Sequence, residues 1–300
     1  MGPRTKPMEQ LEYPSGWVYV NTSEQAHNYL RGLWDSFLDA HRIAFPLTEN
    51  QWNKIADQSF AIPKKYTMDV LTVLNRFLPE ETRKIIEKYP PYFIVMPDAY
   101  FEVRGTKSVA FWGNTSGSVV GAVMRDEKSN VIFVSQGEYA KLNSVKGLVP
   151  LLIHESLHYA KALTNKKWRE SIKHGFDEGV TEYLSLRFSI EVGYKHPNSS
   201  EQYRFQFRVA HVLGKLVRDD EFVSAYFSSD YSEIRKKVDK LCGFGTWDRL
   251  YDSLSDKFHI SDPQKVMDIL KDIIKKAKLN LDQLNRELDA FGKLTPKKVQ

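Results

Sequence analysis

Cysteine is almost absent from this chain of 300 residues, since Cys242 is the only one. A single thiol excludes an intramolecular disulfide and a zinc cluster built from cysteines. Cys242 stands in the segment LCGFG, where we expect a small apolar residue near a turn rather than a catalytic thiol. A metal site in this chain would therefore use histidine and carboxylate ligands.

Long apolar runs are also missing. No stretch approaches the roughly 18 apolar residues that a membrane-spanning helix needs. The N-terminal segment MGPRTKPMEQLEYPSG has no apolar core of signal-peptide length. We therefore expect no membrane span and a cytoplasmic protein in a reducing compartment.

Positive charge is in only moderate excess over negative charge. The formal net charge is +5 and the pI is about 9.0. A basic balance can favour nucleic acid or an anionic surface, but we prefer the interpretation of a soluble protein that happens to be basic. The hydrophobic content of 42% is enough for a substantial core, in one large or two modest domains.

The periodicity of apolar residues changes twice along the chain. After an N-terminal arm, residues 1–90 have the pattern of an N-terminal helical region. Residues 91–192 contain candidate strands followed by two helices, and residues 193–300 predict a C-terminal helical subdomain with a basic tail. We therefore expect an α+β protein, mostly helical, with a small antiparallel or mixed sheet flanked by helical regions.

Four short segments in the middle of the chain predict strands. β-branched and aromatic residues with turn signals between them favour three or four strands, mostly antiparallel and joined by hairpins. The sheet directly precedes the helical pattern LLIHESLHYAKAL. The segments are YFIVM, SVAFWG, SVVGAVM and VIFVS, at residues 92–96, 108–113, 118–124 and 131–135.

That helical pattern contains the motif HESLH, with His154, Glu155 and His158. Positions four apart share one face of a helix, so the two histidines can offer their imidazoles to one metal ion. Glu155 sits about 100° round the helix, where its carboxylate can reach a water on that metal. The motif also arises by chance, but the apolar residues on the opposite side favour a core-facing helix that presents its histidines to a cleft.

A third ligand is expected from the later segment DEGVTE. Glu178 and Glu182 share a helix face, so one can bind the metal while the other accepts a hydrogen bond from a ligating histidine. Asp177 is a suitable N-cap, and Gly179 would let this helix approach the histidine helix closely. In isolation such glutamates would be solvent-facing, but their position about twenty residues after the histidine motif favours a ligand.

The two motifs together resemble the gluzincin metallopeptidases, which include thermolysin-like and aminopeptidase-N-like enzymes, over about residues 108–222. The resemblance implies a zinc-dependent peptidase that holds one Zn²⁺ ion and acts on a peptide or protein substrate. It implies that His154, His158 and Glu178 are the zinc ligands. It also implies that Glu155 is the general base and that Glu182 orients His154.

The resemblance further implies a downstream residue that stabilises the oxyanion. Tyr203 is similar to the tyrosine that starts the corresponding helix in the aminopeptidase-like branch, although no lysine-glycine pair follows it. Packing at a helix start is the alternative role of Tyr203. His211, in the same helix, is a second candidate for which packing is the simpler role, and His174 can line the cleft.

One segment departs from the aminopeptidase pattern. Residues 121–125 read GAVMR, with arginine where those enzymes carry a glutamate for the substrate amino terminus. This departure favours an endopeptidase, with either VIFVS or SVVGAVM as an edge strand that holds an extended peptide. Two alternatives stay open: a catalytically silent binding or structural protein of the same fold, and a protease recruited to nucleic acid, which we do not favour.

Overall fold

A computed structural model describes the protein in eight segments of the chain. α-Helices account for most of the described residues, and a small mixed sheet lies among them, so the predicted α+β class is confirmed. The described segments are residues 17–41, 48–98, 123–125, 129–144, 148–165, 174–194, 204–254 and 262–290.

The sheet has four described strands in the order β1-β2-β4-β3. The central pair, β2 and β4, is parallel, whereas β1–β2 and β3–β4 are antiparallel. Both central strands are buried, which is the usual setting of parallel strands. The strands are β1 (Phe60–Ala61), β2 (Tyr92–Met96), β3 (Val123–Arg125) and β4 (Val131–Ser135).

The strand predictions at residues 92–96 and 131–135 are confirmed residue for residue. The candidate at 118–124 supplies only its last two residues to β3, and residues 108–113 and 118–122 lie outside the described part of the chain. The two-residue β1 was not predicted, because so short a segment has no detectable period. Hairpin connections do not account for the centre of the sheet, where β2 and β4 run parallel.

Helices cover both faces of this sheet. α1 (Ser23–His41) and α2 (Glu49–Gln58) pack on one face, over Ile94 and Phe133. α3 (Lys64–Phe77) and α4 (Glu80–Lys88) belong to the core on the opposite face. The helices of the N-terminal region are therefore divided between two layers and do not form one bundle.

Local signals explain where two of the helices begin. Thr48 begins α2 with a capping box, in which its hydroxyl accepts from the Gln51 amide and the Gln51 side chain accepts from the Thr48 amide. Asp262 caps a later helix that has Pro263 in its first turn. Such contacts lie within four residues, so they can be read from the sequence.

The histidine motif and the glutamate motif lie on two adjacent helices after the sheet. α5 (Gln136–Ser144) leads from β4 to α6 (Leu148–Thr164), and α7 (His174–Glu191) packs against α6. Among the described residues, six further helices follow. They are α8 (Arg204–Gly214), α9 (Asp219–Ser228), α10 (Ser232–Cys242), α11 (Thr246–Ser253), α12 (Pro263–Lys276) and α13 (Leu281–Ala290). Among the described residues, no helix has the length and apolar character to cross a membrane.

Asn130 joins the N-terminal segment to the sheet. Its Oδ1 accepts from the Val20 amide at 2.8 Å, and its Nδ2 donates to the carbonyls of Val20 and Pro90 at 2.7 and 2.8 Å. The residue is fully buried. The two hydrogen bonds to Val20 are therefore buried and the one to Pro90 is partly buried, and an unmade bond is most costly away from water.

We expect Asn130→Ala to lower the free energy of unfolding by about 3 kcal/mol, because three net hydrogen bonds of about 1 kcal/mol each are lost. Urea denaturation measures this change. Asn21→Ala is the control, since Asn21 is exposed and surface substitutions usually change stability by less than about 0.5 kcal/mol. Equal stability of the two variants would contradict the role of Asn130.

Candidate metal centre

α6 passes through the middle of the molecule and is not a surface helix. Between Leu152 and Leu163 every residue is buried except Glu155, which is half-buried. The helix contacts α3, α4, α7, α9 and β3, which accounts for this burial. Pro150 lies in its first turn, where a missing amide hydrogen is tolerated, and the helix ends at Thr164.

Three buried side chains from α6 and α7 converge. The Nε2 atoms of His154 and His158 lie 3.4 and 3.5 Å from one oxygen of Glu178. One ligand atom from each residue can be chosen so that all three lie within 4.8 Å of one another. Each of the three residues is only 7% exposed. His154, His158 and Glu178 therefore form a buried group that can hold a metal ion.

Each histidine turns its other nitrogen toward a different carboxylate of α7. The Nδ1 of His154 lies 2.9 Å from Glu182, and the Nδ1 of His158 lies 3.6 Å from Asp177. The hydrogen bond with Glu182 fixes the ring orientation of His154, whereas Asp177 faces the Nδ1 of His158 from beyond hydrogen-bond distance. In both rings Nε2 is the atom that faces Glu178. Both rings thus direct their Nε2 atoms toward the same oxygen of Glu178.

The role of Asp177 differs from the prediction. α7 begins three residues earlier, at His174, so Asp177 lies within the first turn and does not cap the helix. Its carboxylate forms a buried ion pair with Lys161 of α6 and faces His158. Lys161 was not among the residues predicted for the site, although its position three residues after His158 places it one turn further along the same helix.

Burial and nearby charges act in opposite directions on these groups. Burial disfavours the charged imidazolium of His154, but the carboxylates of Glu178 and Glu182 outweigh it and raise the pKa well above its usual range. For Asp177, burial would raise the pKa, but the ammonium of Lys161 and the imidazole of His158 outweigh it and lower the pKa. The carboxylates of α7 therefore make the space between the two histidines attractive to positive charge.

Gly179 brings α7 close to α8, not to the histidine helix as predicted. A Cβ at Gly179 would lie 2.3 Å from the Cβ of Gln206 and 2.6 Å from its carbonyl carbon. Real side chains do not approach so closely, so only glycine fits here. Gly179 directly follows Glu178, so this contact fixes the position of α7 next to that glutamate.

The other predicted site residues are distributed differently. Glu155 follows His154 on α6 and has the greatest exposure of the motif. Tyr203 lies outside the described residues, as does the side chain of His174, whose backbone begins α7. His211 lies on α8 in another group, where its Nε2 is 2.8 Å from Glu287 and its ring contacts Tyr183.

Glu287 of α13 pairs with His211 of α8 and with Lys215, which directly follows α8, each at 2.8 Å. Burial would raise the pKa of Glu287, but its hydrogen bonds to Lys215, Gln283 and His211 lower the pKa from 4.5 to about 2. A carboxyl group whose pKa is lowered by folding stabilises the protein above its unfolded pKa. This stabilisation is lost as the pH falls from about 4.5 toward about 2.

We therefore expect Glu287→Gln to be less stable than wild type near pH 7, with a difference that shrinks as the pH falls below about 4.5. Urea denaturation at several pH values measures this difference in the free energy of unfolding. Glu87→Gln, which changes an exposed glutamate of α4, is the control and should follow the wild-type profile. A difference that is independent of pH would show that the charge of Glu287 does not stabilise the α8–α13 contact.

The donor set is chemically suited to a divalent transition metal. Two imidazole nitrogens and one carboxylate leave at least one coordination position for water or substrate. Carboxylates near the Nδ1 atoms leave the Nε2 of each ring as the nitrogen that faces Glu178 and can bind a metal. The group can therefore hold a metal ion as well as pack between the two helices.

Comparison of the chain with protein families, with curated protein sequences and with solved structures finds no match in any of the three.

Proposed function

We propose that the protein is a zinc-dependent peptidase. The observation that carries the proposal is the buried group of His154, His158 and Glu178, with Glu155 beside it as the one partly exposed residue of the motif. Two imidazoles and a carboxylate around an open position form the ligand set of catalytic zinc sites. The succession of sheet, histidine helix and glutamate helix supports membership of the gluzincin type.

Glu155 would act as general base. When bound, zinc polarises the scissile carbonyl and makes the attacking water more acidic. Glu155 takes the proton of that water and delivers it to the leaving amine. Because Glu155 is the residue of the motif most open to solvent, a substrate can reach it without displacing the core.

The candidate substrate strand is β3. VIFVS forms β4, which lies between β2 and β3 and so cannot be an edge of the sheet. Among the described strands, β3 is at the edge and contacts α6. An extended peptide paired with β3 would run beside the histidine helix. Because β3 ends in Arg125 and has no acid for a substrate amino terminus, we propose an endopeptidase.

Metal removal tests the proposal directly. The purified protein should contain one zinc ion per chain, and it should cleave an unstructured protein such as casein. Treatment with a chelator should abolish cleavage, and added Zn²⁺ should restore it. His154→Ala, which removes one ligand, should contain no zinc after the same purification.

The outcomes separate the proposed peptidase from its alternative. Zinc without cleavage of any unstructured substrate would favour a binding or structural protein that keeps the metal centre. A protein without affinity for zinc would overturn the metal site itself. Cleavage that survives complete metal removal would contradict a zinc mechanism.

A further inference from the structure

Lys161 is a lysine without solvent exposure, one turn beyond His158 on α6. Its ammonium pairs with Asp177, and it lies 4.1 Å from the ring centroid of Tyr226. The Tyr226 hydroxyl is in turn hydrogen-bonded to Thr181 of α7, at 2.8 Å. The ammonium is therefore enclosed between a carboxylate and an aromatic ring that are both held in place.

The ion pair between Lys161 and Asp177 lies next to the metal centre. One oxygen of Asp177 pairs with Lys161, and the other lies 3.6 Å from the Nδ1 of His158. When an ion pair holds one oxygen of a carboxylate in place, the direction of the other oxygen is fixed as well. The position of Lys161 thus determines how the second oxygen of Asp177 faces the imidazole of His158.

The charges around the histidines also require a cation in addition to the metal. Three buried carboxylates of α7 surround the two imidazoles, those of Asp177, Glu178 and Glu182. A divalent ion would offset two of the three negative charges. Lys161 offsets the third, so with both imidazoles neutral the buried group has no net charge when the divalent ion and Lys161 are both present.

We infer that Lys161 is a positioning residue for the metal centre, which acts on His158 through Asp177. This inference rests on the metal site of the proposed function. A link between α6 and α7 alone would not need charges, because a buried ion pair is often no more stable than an apolar pair of similar volume. The contact with a ligating histidine gives the charges a second role.

The double variant Lys161→Met with Asp177→Asn tests this role without leaving an unpaired buried charge. We expect it to fold and to bind Zn²⁺ about 10- to 100-fold more weakly than wild type, the usual loss when the partner of a ligating histidine is removed. Zn²⁺ titration against a chelator measures the affinity. The visible spectrum of the Co²⁺-loaded protein should change as well, because the orientation of His158 changes.

Arg187→Met with Asp219→Asn is the matched control. Arg187 also lies on α7 and forms an ion pair with Asp219 of α9. The control removes an interhelical ion pair without a histidine contact, so its zinc affinity should stay within about twofold of wild type, as for independent sites. Thermal unfolding of both double variants without metal separates stability from affinity.

Two results would overturn the inference, and only the second of them would also overturn the proposed function. If wild type binds one zinc ion and the folded double variant binds it equally well, the Lys161–Asp177 pair only joins two helices and the proposed function stands. If wild type binds no zinc, the inference and the proposed function fail together. Lys161→Met alone adds a third measurement, since its affinity should also fall at least about tenfold if Asp177 needs its partner.

Discussion

Replacement of Glu155 by glutamine is expected to lower peptide hydrolysis by about a hundred- to ten-thousand-fold, the usual contribution of a general base. Glutamine has nearly the same shape but cannot take a proton. Because Glu155 is not part of the converging group of His154, His158 and Glu178, the variant should keep its zinc and its stability. The loss should appear in kcat, since proton transfer belongs to the chemical step.

The measurement is cleavage of an unstructured protein by zinc-loaded wild type and Glu155→Gln at equal metal content. Glu24→Gln, which changes an exposed glutamate of α1, is the control and should be as active as wild type. A Glu155→Gln protein with full activity would exclude Glu155 as the base. A variant that loses its zinc would instead place Glu155 among the ligands.

Gly179→Ala should disturb the packing of α7 against α8 and, with it, the candidate metal centre. The new methyl group would lie 2.3 Å from the Cβ of Gln206 and 2.8 Å from its carbonyl oxygen. Because backbone atoms are among the contacts, α7 and α8 must move apart, and overpacking of this kind costs about 1–3 kcal/mol or more. Glu178 is the adjacent residue, so zinc affinity should fall together with stability.

Two further variants sharpen this result. Gly32→Ala, on α1, meets nothing within 4 Å and should be neutral or stabilising by up to about 1 kcal/mol, because alanine favours a helix over glycine. Gln206→Gly removes one clashing atom from α8, but the carbonyl contacts persist, so it should not fully rescue Gly179→Ala. Thermal unfolding measures all three proteins. A Gly179→Ala protein as stable as wild type would contradict the close approach of α7 to α8.

Most of the candidate site could be predicted from the sequence because its spacing is local. The interval of four residues places His154 and His158 on one face of any α-helix, and the same interval relates Glu178 to Glu182. The capping box at Thr48 and the helix start at Pro263 were predictable for the same reason. In each case the geometry of a single helix is sufficient.

Features that join distant segments were missed or placed wrongly. The parallel pairing of β2 with β4 was not expected, because hydrophobic pattern defines a strand but not its partner. Asp177 was assigned to a cap, since its contact with Lys161 exists only when α6 and α7 are packed. Gly179 was correctly linked to a close approach of helices, but the neighbour is α8.

The amino-acid sequence therefore determined the residues of the candidate site: two imidazoles on one helix face, Glu155 beside them and two glutamates on a later helix, each related by helical spacing. Packing of α6 against α7 decided the rest, because it brought Glu178 to both histidines and assigned a separate carboxylate to each Nδ1. It also placed a buried lysine behind Asp177. Contacts over 16 or more positions depend on how two helices lie in space, and no periodicity within one helix specifies that.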